Sequence, residues 1–349
     1  MAEILGLGTT DYPRLRSPDP AMTGPFRGNL NGSHLPEERK DPKNWPAEMQ
    51  AEWGDDEGLA CGQQARANQI EQFTKLRAEL DAFNPDFILV WSKDSRESLR
   101  NFCVPQFWIQ AQDVTHAKVF QGPGGRESGE TFFGQDFDRE VDIPGHPEGA
   151  RHLMRGLQDA GFDPAYSTEI MHPTGLAHTF CGVLTHIDWG SWEFQRPVVP
   201  VGIDPFGLRQ RGPDGCEPLT EKTLPPMTAQ RAFDMGRSTA RILKDSPWRV
   251  ALVAGVGWSH ANNTSWERGW VHPDIPADRR RYDELVANKL DTWNNFTHEE
   301  FEEHGQWELL CWIALAGAMT ELGAKVKWSD FEAHYIFNSV WVNCAFEVA

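Results

Sequence analysis

Strand-length apolar runs alternating with helix-periodic segments predict an α/β fold: a single domain with a central, largely parallel or mixed sheet flanked by helices. The runs are DFILVW at 86–91, PVVPVGI at 197–203 and WRVALVAGV at 248–256. Each has strand length, and such continuous apolar runs suit strands covered on both faces. Periodic segments lie between and around them, and no repeat or interior linker divides the 349 residues. One domain is therefore expected over 1–349.

Taken in order, EILGLG (3–8) reads as a buried strand. TTDYP ends it, because Pro13 donates no N–H to a ladder. Residues 16–58 are rich in Pro, Gly, Asn and charge, with little periodicity. They predict a long irregular excursion, the kind of loop that serves as a lid or a partner contact. Gln63–Phe83 is helical, with Ile70, Phe73, Leu76 and Leu80 at three- and four-residue steps, and Asn84-Pro85 stops it. The Gly-rich stretch 121–136 lacks GxxxxGK[ST], so it is not a phosphate cradle. Further helices are expected over 147–160, from a Thr228 cap to Lys244, and over the apolar 306–320.

Lys and Arg number 33 against 51 Asp and Glu, a formal charge of −18. That excess repels phosphate backbones and anionic membranes, so neither nucleic acid nor membrane is an expected partner. Glu299, Glu300, Glu302 and Glu303 read as a solvated helix face. No run of about 18 apolar residues exists, and the N-terminus has no basic-then-apolar leader, so the expected compartment is the cytoplasm. Six scattered cysteines without a CxxC pair predict buried free thiols rather than disulfides or a structural zinc. Fifteen tryptophans suit a core, and can also line a flat pocket for an aromatic ligand.

Ligands of open α/β sheets sit beyond the carboxyl ends of strands. Three strand ends here are polar: Asp11, Ser92-Lys93-Asp94, and Gly257-Trp258-Ser259-His260. His178 in GLAHTF and Glu308 at the start of an apolar helix complete the candidate set. Glu308 is the most telling, since a carboxylate in such a helix needs a partner or a metal. Arg14, Arg16 and Lys93 lie near these segments; they read as solvated side chains, or as contacts for a substrate carboxylate. His116 and His172 read as surface-loop histidines.

Across nearly the whole chain, the order and spacing of EILGLGTTDYP, NPDFILVWSKD, VPQFWI, IPGHPEGARHL, GLAHTF, PVVPVGID, ALVAGVGWSH, HGQWELLCWIALAGAM and HYIFNSVWVNCAFEV carry a resemblance. The chain resembles the class III extradiol ring-cleavage dioxygenases, the family of the large subunit of protocatechuate 4,5-dioxygenase. The resemblance implies that family's fold and a ferrous ion held by two histidines and a glutamate, with positions open for a catechol and O2. The glutamate falls on Glu308, the acid/base histidine on His260, and the histidine that holds substrate or oxygen on His178. Both histidine ligands fall on carboxylates, Asp11 and Asp94. An Asp, Asp, Glu set of hard oxygen donors favours Mn or Mg over a nitrogen-supported Fe(II).

The function implied is extradiol cleavage of a small catechol-like aromatic by O2, with Trp258 and Tyr12 expected at the substrate pocket. Two alternatives follow from Asp11 and Asp94. One is hydrolysis or decarboxylation by the same fold with a hard divalent metal or none, and the other is a non-catalytic subunit. The resemblance also implies a homo-oligomer or a small partner subunit.

Overall fold

The chain is described by a computed structural model for all residues except 1, 33–34, 95, 100–102, 123–128, 170–174, 210, 213–214 and 349. His172 and part of the Gly-rich stretch therefore lie outside the described residues. In chain order the strands are β1 (Ile4–Thr9), β2 (Phe87–Lys93), β3 (Phe107–Gln110), β4 (Val114–Ala117), β5 (Val141–Pro144) and β6 (Ala165–Ser167). They continue with β7 (Val198–Ile203), β8 (Arg211–Gly212), β9 (Gly215–Cys216), β10 (Val250–Gly255), β11 (Lys325–Glu332) and β12 (Trp341–Glu347). Eight of them join in one mixed sheet of order β11-β12-β1-β10-β2-β7-β3-β6, while β4/β5 and β8/β9 form small ribbons. The α/β class and the mixed, helix-flanked sheet are thus as expected.

β1, β10, β2 and β7 run parallel and are buried along their whole length. β12 and β3 flank them antiparallel. Alternation along the strands divides the core. Phe87, Leu89 and Trp91 of β2 face one cluster, built with the helices Pro147–Asp159, Ala229–Lys244 and Leu309–Glu321. Ile88 and Val90 face the other, built with the helices Leu59–Phe83 and His178–Ile187. This is the two-residue period of a strand covered on both faces.

Glycine lets the first layer come close. A Cβ on Gly8 would stand 2.1 Å from the Trp312 ring, and one on Gly236 1.8 Å from the Ala314 carbonyl oxygen. The Ala229–Lys244 and Leu309–Glu321 helices therefore meet backbone to backbone.

The 16–58 excursion differs from expectation. It folds into short helices at Gly24–Leu30, Glu37–Lys40 and Ala47–Trp53, and Phe26, Leu35, Trp45 and Met49 are buried in the second core. Trp45, Met49 and Trp53 stand at four-residue steps, a helical signal that the polar composition hides. The C-terminal strands β11 and β12 and the His178–Ile187 helix were also not legible as such. Glu302, expected on a solvated face, is buried against Arg209 at 2.7 Å. All six cysteines are free, and four are buried. No helix among the described residues is long and apolar enough to cross a membrane.

Candidate functional site

The carboxyl ends of β1, β2 and β10 converge on a buried ion-pair cluster. β2 alternates Phe87, Leu89, Trp91 and then Lys93 towards the face covered by the Leu309–Glu321 helix. Glu308, the cap residue of that helix, thus meets Lys93 rather than Asp94. Lys93 Nζ lies 2.5 Å from Glu308 Oε1 and 3.8 Å from Asp11 Oδ2. All three side chains are buried. Asn263 Nδ2 donates to Glu308 Oε1 at 2.8 Å, and the Gly257 N–H donates to Asp11 Oδ1 at 2.9 Å. His260 Nε2 stands 3.0 Å from Glu308 Oε2, in contact but outside hydrogen-bonding angles.

The cluster thus sets a lysine, two carboxylates and an imidazole side by side, the residue types that acid–base chemistry uses.

Asp94 is elsewhere. Its Oδ1 accepts the N–H groups of Glu97 (2.9 Å) and Ser98 (3.1 Å), and its Oδ2 accepts Trp108 Nε1–H (2.8 Å). Trp108 belongs to the second core, so Asp94 serves the opposite side of the sheet from Lys93. Burial raises its pKa against those three donors. The expected three-carboxylate centre of Asp11, Asp94 and Glu308 is accordingly not assembled. Among the described residues no three His, Cys, Asp or Glu side chains are placed to hold a metal.

His178 opens the His178–Ile187 helix, where its Nδ1 pairs with Glu97 Oε1 and its N–H donates to Glu97 Oε2 at 3.0 Å. Neighbouring Thr179 Oγ1 donates to the Lys93 carbonyl at 2.7 Å, tying that helix to the end of β2. Trp258 and Tyr12, expected at a substrate pocket, are both core residues. Trp258 is fully buried between Trp293 and Trp312, with ring centroids 5.8 and 5.4 Å away. Tyr12 packs 5.0 Å from Trp341, and its hydroxyl donates to the Met22 carbonyl at 2.7 Å. Trp45 and Trp270 border a cavity of about 670 Å³ beside Arg39 and His272.

Of the basic candidates, Lys93 is buried on protein carboxylates rather than solvated. Arg16 is buried too, donating to the Val119 carbonyl at 2.8 Å. Arg14 Nη1 stands 3.5 Å from Ser17 Oγ. His116 sits exposed in the β4/β5 ribbon, 2.6 Å from Asp142.

Sequence reasoning missed Asn263 and Asp278. Fully buried Asp278 accepts from Ser259 N–H (3.1 Å) and Oγ–H (2.5 Å) and from Gln306 Nε2 (2.6 Å). It so ties the residue before His260 to the residue two before Glu308, and burial pushes its carboxyl up to about 7. Asp278 carried no pattern signal. Lys93 did: the two-residue alternation of DFILVWSK puts it on the face of Leu89 and Trp91.

No family model matches the chain, and a search of curated proteins returns no match.

Proposed function

We propose that the chain is a metal-independent acid–base enzyme acting on a small carbonyl compound, by hydrolysis or decarboxylation. The observation that carries this reading is the Lys93 ammonium seated between Glu308 and Asp11, with His260 Nε2 on the other oxygen of Glu308. A fixed ammonium in a water-poor site stabilises negative charge developing on a substrate oxygen, work that a Lewis-acid metal does elsewhere. His260 moves the proton, and Glu308 holds the Lys93 ammonium in place. Asp278 steadies His260 through Ser259, and His178 with Glu97 stands on the helix tied to the Lys93 carbonyl.

The sequence resemblance supports a second reading, Fe(II)-dependent cleavage of a catechol-like ring by O2, with His260 as acid/base and His178 holding substrate or oxygen. Asp11 Oδ2, which is buried and accepts no hydrogen bond, is the observation in its favour. The donor set does not fit the ion: Asp94 is consumed by three N–H groups, and Lys93 brings a positive charge to the oxygens that would bind the metal.

Chelator-treated protein assayed for CO2 release from β-keto acids and for hydrolysis of aromatic carbonyl compounds separates the two. The acid–base reading expects turnover that survives chelation and falls about 10²–10⁴-fold in His260→Gln. One Fe(II) per chain with catechol-dependent O2 uptake would replace it with the second reading.

A further inference from the structure

A thiol outside the Lys93 cluster has an imidazole and a carboxylate lined up behind it. Cys61 is the third residue of the 25-residue Leu59–Phe83 helix and is half-buried. Its Sγ lies 3.5 Å from His334 Nδ1. Across the ring, His334 Nε2 lies 3.0 Å from Oε1 of Glu332, the last residue of β11. Glu332 is buried and held by two amides: Asn68 Nδ2 donates to Oε1 at 3.0 Å, and Gln69 Nε2 to Oε2 at 2.7 Å. Gln69 Oε1 accepts in turn from Asn343 Nδ2 at 2.9 Å, which fixes the orientation of that amide.

The imidazole is also set in place by packing, with the Phe337 and Trp341 ring centroids 5.1 and 6.0 Å away. Glu52 Oε1 stands 3.4 Å from its Nδ1. Burial opposes a charge on the ring, but hydrogen bonds with Cys61, Glu332 and Glu52 outweigh it and push the His334 pKa up to about 11. A cation against sulfur, in the first turn of a helix, is the setting in which a cysteine reacts as its thiolate. Cys103 offers a contrast within the same chain. It is exposed and makes no hydrogen bond among the described residues, while the other four cysteines are buried.

We propose that Cys61 is a modification site that exchanges with small disulfides, cationic ones by chemical class, and that His334 is the residue that positions its sulfur for attack. The Cys61 sulfur attacks one sulfur of the disulfide, and the new S–S bond forms as the old one breaks. The electron pair leaves on the departing thiolate, which takes a proton from water. Cys61 is oxidised and the released thiol is the reduced product, so the disulfide itself is the oxidant. Charge selects the class. Asp55, Asp56 and Glu57, just before the helix, are exposed, and Asp56 Oδ2 accepts the N–H of Ala60, the neighbour of Cys61, at 3.0 Å. With Glu52 they form an acidic rim that attracts ammonium groups and repels anions. The site shares no residue with the Lys93 cluster and stands or falls apart from the acid–base reading.

Timed reaction of the folded protein with cystamine, read for each cysteine by peptide mass mapping, tests the proposal. Cys61 is expected to form its mixed disulfide about tenfold faster than the more exposed Cys103. In urea-unfolded protein the two rates are expected to converge. Dithiodiglycolate, an anionic disulfide, is expected to lose to cystamine by about tenfold more at Cys61 than at Cys103, a gap that added salt narrows. His334→Gln is expected to slow Cys61 about tenfold and to leave Cys103 unchanged. Mere loosening of the fold would expose Cys61 and speed it, so a fall reports the imidazole. Cys61 no faster than Cys103 in folded wild type, a gap that persists in urea, the same charge preference at both thiols, or an undiminished Cys61 rate in His334→Gln would each overturn the site. The wild-type comparisons keep the test open should His334→Gln fail to fold.

Discussion

Lys93 Nζ lies 2.5 Å from Glu308 Oε1, so the cation that neutralises this buried carboxylate is supplied by the chain itself. The pair joins the end of β2 to the start of the Leu309–Glu321 helix. It decides which chemistry the strand ends can support.

Lys93→Met removes the ammonium and leaves Glu308 and Asp11 buried without it. Breaking one partner of a buried pair costs about 3–5 kcal/mol, because the remaining charge is uncompensated. Urea unfolding should show this loss, and the double variant Lys93→Met/Glu308→Gln should recover much of it. A single variant as stable as wild type would mean that the pair contributes nothing.

The same removal should create metal affinity. Asp11 and Glu308 without Lys93 are two hard oxygen ligands with Asn263 beside them. Titration with Mn(II) is expected to detect a site in Lys93→Met that wild type lacks. Equal Mn(II) binding in both proteins would speak for a metal centre that tolerates the lysine.

Asp94→Asn should destabilise without changing metal content. The amide keeps one acceptor for Glu97 and Ser98 but turns N–H₂ towards the Trp108 indole N–H, leaving that buried donor unpaired at a cost of about 1–3 kcal/mol. Thermal unfolding together with metal analysis checks it. A loss of bound metal in this variant would restore Asp94 as a ligand.

Stability should fall on the alkaline side through His334. Burial alone would lower its pKa, but hydrogen bonds with Cys61, Glu332 and Glu52 outweigh burial and push it up to about 11. A base whose folded pKa is raised stabilises fully below its unfolded value near 6.5, and that contribution is lost as pH rises through 11. Unfolding free energy measured from pH 7 to 11 should decline, and His334→Gln should flatten the decline. Parallel curves for the two proteins would remove His334 as the cause.

Gly236→Ala places a methyl against the Ala314 carbonyl where two helices touch through their backbones. Overpacking of this kind costs about 1–3 kcal/mol, and here no flexible side-chain end can give way. A melting temperature equal to wild type would show that the helices can part.

What the sequence determined by itself is what repeats along the chain. The apolar runs at 86–91, 197–203 and 248–256 became β2, β7 and β10, and the periodic segments became the long flanking helices. Each carries many residues that state the same period. His260 and Glu308 were legible because a polar residue at a strand end or in an apolar helix breaks such a pattern. The mixed edges were less so: β11 is half-exposed and β3 and β6 are short, so a weak period must compete with turns. Tertiary structure alone decided what each polar residue meets. Asp94 and Lys93 are adjacent in the chain, yet alternation sends one to the Trp108 indole and the other to Glu308. Tyr12 and Trp258 lie beside site segments and are nonetheless sealed in the core. Lys93 and Glu308 lie far apart in the chain, and only the packing of a helix layer onto one face of the sheet brings them within reach of each other.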